Sequence, residues 1–293
     1  MTGCTICPRE CGANRERAAG FCGAGTSPNI ARAALHFWEE PAISGTRGSG
    51  AIFFSGCNMA CVFCQNYKIN HARVGPEADA DALASIMLRL QEKGAHNVNL
   101  VSPAPFAPLL LEAIPLARAR GLTIPVVYNT NTYEKVETLK LLRGLIDVYL
   151  PDLKYVSPEI AGKYSGAPDY FDYAAPALAE MFSQRGLLET DGEGIAVKGV
   201  VIRHLVLPGS VDETRRVIDY IADNYPREIA FSLMGQYAPN GALLPAPLER
   251  KLLRREYARA IDHALQCGLT KVLIQQLSAA TMDYTPNFDG SVI

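Results

Sequence analysis

The stretch AIFFSGCNMACVFCQN (51–66) decides how this chain is read. Its first half is a continuous apolar run closed by Gly56, the pattern of a buried parallel strand. Its second half sets Cys57, Cys61 and Cys64 at a Cys-x3-Cys-x2-Cys spacing, and no other cysteine follows before Cys267. Three thiolates this close together do not by themselves close a tetrahedral metal site. An iron–sulfur cubane held by only three thiolates keeps one iron with open coordination positions, and a loop that turns back on itself just after a strand can wrap three of its corners. Spacing alone leaves two alternatives: zinc completed by a distant histidine such as His71, or plain reactive thiols.

Working outward, short apolar runs alternate with segments of helical period from residue 51 onward. The runs are AIFFSG (51–56), HNVNLVSP (96–103), IPVVYNT (124–130), DVYLPDL (147–153), GVVIRHLVLPG (199–209) and EIAFSLMGQ (228–236), with KVLIQQL (271–277) a late addition. Between them, DADALASIMLRLQEKG (79–94) and FAPLLLEAIPLARARG (106–121) repeat apolar residues at three and four and end in Gly, as helices often do. Strand followed by helix throughout predicts an α/β fold, a partial (β/α)6 TIM-type barrel in preference to an open doubly wound sheet. In either, chemistry gathers where strands end at their C-terminal edge. The expected organisation is a cysteine-rich module and connector over residues 1–50, then the barrel with a C-terminal extension over 51–293. The connector PAISGTRGSG (41–50) either links the two or packs against the barrel bottom.

Lys and Arg total 28 against 30 Asp and Glu, a formal net charge of −2, so the basic surplus of a typical nucleic-acid binder is absent. The N-terminal residues show no signal-peptide pattern, and no apolar run is long enough for a membrane span. The chain therefore reads as cytoplasmic, where cysteines serve as metal ligands or catalytic groups more often than in disulfides. Cys4, Cys7, Cys11 and Cys22 supply four thiolates, enough to close a site, with Pro8, Gly12, Gly20 and Gly23 for the turns. Structural zinc is the first reading of this knot, a second iron–sulfur cluster the next, and disulfides or free thiols the remainder. Arg9, Arg15 and Arg17 beside it form either a docking face for an acidic electron donor or a solvated charged loop.

Phe63 stands between the last two cysteines of the second set and Asn66 two places after it. Cys-x3-Cys-x-aromatic-Cys after the first strand of a parallel α/β pattern resembles the radical S-adenosylmethionine (radical SAM) superfamily, over most of residues 50–240. The resemblance implies a 4Fe-4S cluster on Cys57, Cys61 and Cys64 whose open iron is chelated by S-adenosylmethionine. One-electron reduction then yields a 5'-deoxyadenosyl radical that abstracts hydrogen, the protein orienting the cofactor. VYNTNTYEKVETL, YLPDLKY and RHLVLPG resemble more narrowly the pyruvate formate-lyase activating enzymes, in an offshoot with an N-terminal four-cysteine module. This narrower likeness places Asn129, Thr130, Asp152, Lys154 and Arg203 on S-adenosylmethionine, with Asn66, Ser102 and Tyr237 as further candidates. It also implies an anaerobic oxidoreductase, a reduced flavodoxin or ferredoxin as electron donor, and a glycyl radical protein or a peptide as substrate.

The sequence departs from the activating-enzyme pattern in three places. Val101-Ser102-Pro103 stands where a Gly-Gly-Glu is expected, Asn129 replaces the Asp of an Asp-Thr pair and so weakens any bound cation, and Gln236-Tyr237 stands where a His touches the ribose. Strand alternation turns His204 away from Arg203, toward the helices, as a core histidine. KYSGAPDYFDYA (163–174) is either a substrate entrance or a packed loop, Cys267 reads as a buried structural thiol, and the tail DYTPNFDGSVI (283–293) is placed to cover the barrel mouth. Two rival functions remain: radical chemistry on a small molecule or peptide without a glycyl radical partner, and a zinc-binding interaction protein.

Overall fold

The computed structural model describes residues 3–241, 244–281 and 285–293, the side chain of Ala279 aside. Every apolar run expected as a strand forms one. In chain order the elements are β1 (Ile30–His36), α1 (Pro41–Ser44), β2 (Ser49–Phe54), α2 (Ala80–Glu92), β3 (Val98–Val101), α3 (Ala107–Ala119), β4 (Val126–Thr130), α4 (Val136–Leu141), β5 (Val148–Pro151), α5 (Pro158–Ser165), α6 (Tyr170–Arg185), β6 (Glu189–Thr190), β7 (Ala196–Leu205), α7 (Val211–Asn224), β8 (Ala230–Met234), α8 (Arg254–Gln266) and β9 (Val272–Ile274). The sheet order is β1-β2-β3-β4-β5-β7-β8-β9, with β6 a short antiparallel flap on β7.

From β2 to β9 every neighbouring pair is parallel, as strand-to-strand crossovers through helices require. Their side chains alternate between a helix-facing core (Ile52, Leu100, Tyr128, Tyr149, Ile202, Phe231) and an interior lined lower down by Val127, Val148, Leu150, Val201 and Ala230. The sheet is not closed: among the described residues β1 and β9 are its two edge strands and do not pair with each other. The fold is thus an α/β partial barrel with one open side.

Residues 30–36 had no legible period, yet they form β1, antiparallel to β2. The chain runs down this strand and turns beneath the barrel. There α1 plugs the floor through Ile43, fully buried among Val127, Val148 and Leu150, so the connector packs on the barrel bottom. Asn97, just before β3, donates to the Ile43 carbonyl at 2.7 Å and fixes the plug. The C-terminal tail returns to the outer edge of β1, where Ala33 N donates to Ser291 O and Gly290 N to Ala31 O. Phe288 packs edge-on against Phe53, and Thr285 and Pro286 line the barrel cavity; Asp283 and Tyr284 of the expected cover lie outside the described residues. No helix among the described residues is long and apolar enough to cross a membrane.

Candidate active site

The loop after β2 carries the three cysteines into a cavity of about 240 Å³ at the C-terminal edge of the sheet. Gly56 opens it at φ +104°, a conformation that disfavours any side chain. The loop is braced from behind by the C-terminal end of α5: Ala60 N donates to Ser165 O and Val62 N to Tyr164 O, and the Ser165 hydroxyl reaches Cys61 Sγ at 3.0 Å. No residue of 163–174 lines the cavity, so this segment is packing rather than entrance. From the β4 end, Asn131 Nδ2 donates to Cys57 Sγ (3.4 Å) and Asn58 Oδ1 (2.8 Å). Burial, with Cys61 next, pushes the Cys57 thiol up to about 11 and Cys64 well above its ordinary range. A cationic iron group is the partner that would let such buried sulfurs ionise together, and the donor set fits a cluster.

Facing the cysteines is a buried charge network centred on Arg203 of β7. Its Nε donates to Asp152 Oδ1 (2.8 Å), Nη1 to Glu39 Oε2 (2.9 Å) and Nη2 to Asn129 Oδ1 (2.5 Å), while Glu40 Oε2 lies 3.8 Å away. Lys154 Nζ bonds Asp152 Oδ2 at 2.8 Å. Burial pushes the Asp152 carboxyl up, but Arg203 and Lys154 outweigh it and hold the group below its ordinary value, so it stays charged. Glu40 is different: burial raises its carboxyl against the pull of Arg203, with Glu39 raising it further. The Tyr170 hydroxyl, donating to Asp152 O and accepting from Lys154 N, fixes the backbone that presents both residues.

Asn129, Asp152, Lys154 and Arg203 line the same cavity as the three cysteines, as do Asn66 and Ser102. Ser102 sits at φ +60°, outside the range most side chains prefer. Thr130 borders the cavity, but alternation turns its hydroxyl outward to Glu134, a buried carboxyl that burial pushes up to about 7 despite bonds from Thr130 and Tyr128. Tyr237 is not brought to the site: its ring packs on Phe63, its hydroxyl donates to Leu248 O, and the neighbour that lines the cavity is Gln236. His204 faces the helices, its Nδ1 against Leu153 O (2.7 Å) and Nε2 against Thr214 Oγ1 (3.0 Å). His71, the candidate fourth zinc ligand, is exposed, bonds Phe21 O, and does not line the cavity. Sequence reasoning missed Glu39, Glu40 and Asn131, the first two because nothing in the segment before α1 signals that it dives into the barrel.

A sequence profile of the radical SAM superfamily matches residues 51–221, from the first parallel strand into α7. The chain belongs to the radical SAM superfamily. This radical SAM protein is 32% identical over 274 residues to an uncharacterized protein, MJ0674, of Methanocaldococcus jannaschii, covering 91% of this chain and 75% of that one. Among solved structures, Streptococcus suis SuiB bound to its precursor peptide SuiA matches with TM-score 0.52 at 16% identity over 75% of this chain and 46% of SuiB. A radical SAM methyltransferase from Sphaerobacter thermophilus matches at TM-score 0.52 and 12% identity, over 78% of this chain and 66% of that one. The FeFe-hydrogenase maturase HydG from Carboxydothermus hydrogenoformans gives TM-score 0.52 and 16% identity, over 74% and 50%. At these identities the likeness is one of fold, and the chain spans about half the length of SuiB. Membership carries with it a 4Fe-4S cluster and S-adenosylmethionine as cofactors, and the need for an electron donor.

The radical SAM protein's N-terminal knot docks directly onto this site. Arg9 Nε donates to Asn58 O (2.8 Å) and Nη1 to Gly166 O (2.6 Å), its guanidinium stacked over Phe21 and Tyr133. Arg15 donates to Pro105 O (2.5 Å) and Gly25 O and lies over Phe106. These two arginines are clamps between knot and barrel, neither a docking face nor a solvated loop.

Proposed function

We propose that in this radical SAM enzyme Cys57, Cys61 and Cys64 ligate the 4Fe-4S cluster, that Asn129, Asp152, Lys154 and Arg203 hold S-adenosylmethionine with Asn66 and Ser102 beside it, and that the substrate is a polypeptide segment of a partner protein. When bound, the reduced cluster and S-adenosylmethionine together supply the adenosyl radical that takes a hydrogen atom. Lys154 and Arg203 are placed to pair the cofactor's carboxylate and ribose, and the charged Asp152 accepts hydrogen bonds from its donors. The observation that supports this most directly is that the three-cysteine loop and the Asp152–Lys154–Arg203 network line one cavity.

The substrate reading rests on the barrel's open side. A second cavity of about 330 Å³ adjoins the first there, sharing Trp38, Glu39 and Gln236. Its rim carries Phe37, Trp38 and Ile274, all about half exposed, at 48%, 58% and 51%. Deeper in it is lined by the buried Glu40, whose Oε2 lies 3.8 Å from Arg203 Nη1, and by Ser232. Apolar flanks around a polar floor suit a segment that combines a polar backbone with apolar side chains. A glycyl radical enzyme's loop, the activating-enzyme substrate, is one such segment.

The test is anaerobic reconstitution with iron and sulfide, dithionite reduction with S-adenosylmethionine, and assay of 5'-deoxyadenosine beside Cys61→Ala. Product from the wild type alone is expected. A fully loaded cluster that gives none, with or without candidate peptides, would count against the enzyme reading. A persistent protein radical, seen by electron paramagnetic resonance after adding a glycyl radical partner, would favour activation over turnover of free peptide.

A further inference from the structure

The four cysteines of the knot present a second set of sulfurs beside the first. Cys4, Cys7, Cys11 and Cys22 line one small cavity with Arg9, Arg15 and Asn58, and all four are free thiols. Short backbone bonds shape the turns that gather them: Cys4 N to Ala13 O, Gly12 N to Cys4 O, Glu10 N to Cys7 O and Gly23 N to Gly20 O. Gly20 keeps the space between two of them open, since a Cβ there would stand 3.3 Å from Cys11 Sγ and 3.7 Å from Cys22 Sγ.

Four thiolates commonly hold either a zinc ion or an iron–sulfur cluster, and only the cluster carries electrons, so what the knot touches bears on the choice.

The two sets are also in direct contact. Cys57 N donates to Cys22 O at 3.1 Å, so one ligand of each set is joined through a single backbone hydrogen bond. Gly56 allows this approach, because a Cβ at that position would come within 2.9 Å of Cys22 O.

We propose that Cys4, Cys7, Cys11 and Cys22 hold a second iron–sulfur cluster, positioned to pass single electrons to the cluster on Cys57, Cys61 and Cys64. One electron from an external one-electron reductant, a small flavin or iron–sulfur protein, reduces the second cluster. Its onward transfer reoxidises that cluster and reduces the first, with no bond made or broken. The proposal rests on the assignment of the first site to a cluster, and the experiment reads the knot apart from it.

The experiment uses the full chain carrying Cys57→Ala, Cys61→Ala and Cys64→Ala, which leaves the knot intact. After anaerobic reconstitution and desalting, iron, acid-labile sulfide and zinc are counted per chain. About four irons with four sulfides, or about two of each for the smaller cluster type, are expected. One zinc without sulfide, or five alkylatable thiols (the four of the knot and Cys267) without metal, would overturn the proposal while leaving the reading of the first site untouched. Should the triple variant lose the wild-type circular dichroism, the reduced wild type decides by electron paramagnetic resonance. Two signals broadened by each other support the proposal, and one isolated cluster beside a bound zinc refutes it.

Discussion

Arg203 donates to Glu39 Oε2 at 2.9 Å, so a carboxylate from the segment that passes beneath the barrel ends beside the arginine that β7 sends into the cavity. Glu39 Oε1 in turn accepts from Asn129 Nδ2 (3.1 Å) and Asn99 Nδ2 (3.3 Å). Asn129 can thus donate to Glu39 and accept from Arg203 at once, which an aspartate could not. The Asn that departs from the activating-enzyme pattern is matched by a carboxylate supplied from elsewhere in the chain.

Glu39 and Glu40 should behave differently when replaced. Glu39→Ala removes one partner of a buried ion pair, and the cost is expected at about 2 kcal/mol, below the usual range because Asp152 remains bonded to Arg203. Glu40→Gln should cost under about 1 kcal/mol, since burial already favours the uncharged form of this group. Urea unfolding of the metal-free chain separates the two; equal losses would mean that Glu39 is not the functional counter-ion.

Asn131 should tune the cluster. The turn that aims it is strained: Thr132, a β-branched residue, sits at φ +67°, held by bonds from its N–H to Thr130 Oγ1 and from Glu134 N to its carbonyl. Removing the N–H donor to a ligand sulfur lowers a cluster's potential. Asn131→Ala is therefore expected to shift the potential downward and slow 5'-deoxyadenosine formation roughly tenfold, about 1.4 kcal/mol, with iron content unchanged. A redox titration followed by electron paramagnetic resonance measures this, and an unmoved potential would leave Asn131 a packing residue.

The parallel strands, the cysteine loop and the strand-end residues Asn129, Asp152, Lys154 and Arg203 were legible because each is encoded locally, by an apolar run and the polar residue that closes it. Glu39 and Glu40 were not, since their roles depend on the path of β1 beneath the barrel and no local pattern signals that path. Thr130 was legible as a strand-end residue, but its facing follows from alternation with Asn129. Tyr237 misleads for another reason: it lies beyond the strand, where period no longer says which of Gln236 and Tyr237 turns inward. The knot's cysteines were plain in the sequence, while their contact with Cys57 is a product of tertiary packing alone.

Arg9 should be the principal clamp of the knot. Its two bonds to the carbonyls of Asn58 and Gly166 and its place 4.3 Å over the Phe21 ring join three separate segments. Arg9→Ala forfeits them and is expected to cost about 2 kcal/mol locally. The Lys135–Glu10 pair and the Thr138 bond to Ile6 O remain, so the barrel should stay folded. Limited proteolysis under native conditions is the measurement, with cleavage expected within residues 3–25 in the variant and not in the wild type.

His204 should make the protein acid-labile in a defined window. Its Nδ1 faces a carbonyl, which only accepts, so Nδ1 carries the proton and Nε2 accepts from the Thr214 hydroxyl. Burial pushes its pKa down from 6.5 to about 4. Between those values the unfolded chain binds a proton that the folded chain refuses, so stability is intact above about pH 6.5 and falls as pH drops toward 4. For this one group the loss amounts to about 3 kcal/mol across the window. His36, likewise pushed down to about 4 by burial and by Arg32, titrates alongside and steepens the wild-type decline. His204→Gln removes the first contribution and keeps the second. Urea unfolding of both proteins at pH 7 and pH 4.5 should therefore show the variant weaker at the higher pH yet losing less on acidification, and parallel losses would mean that His204 is not buried in its neutral form.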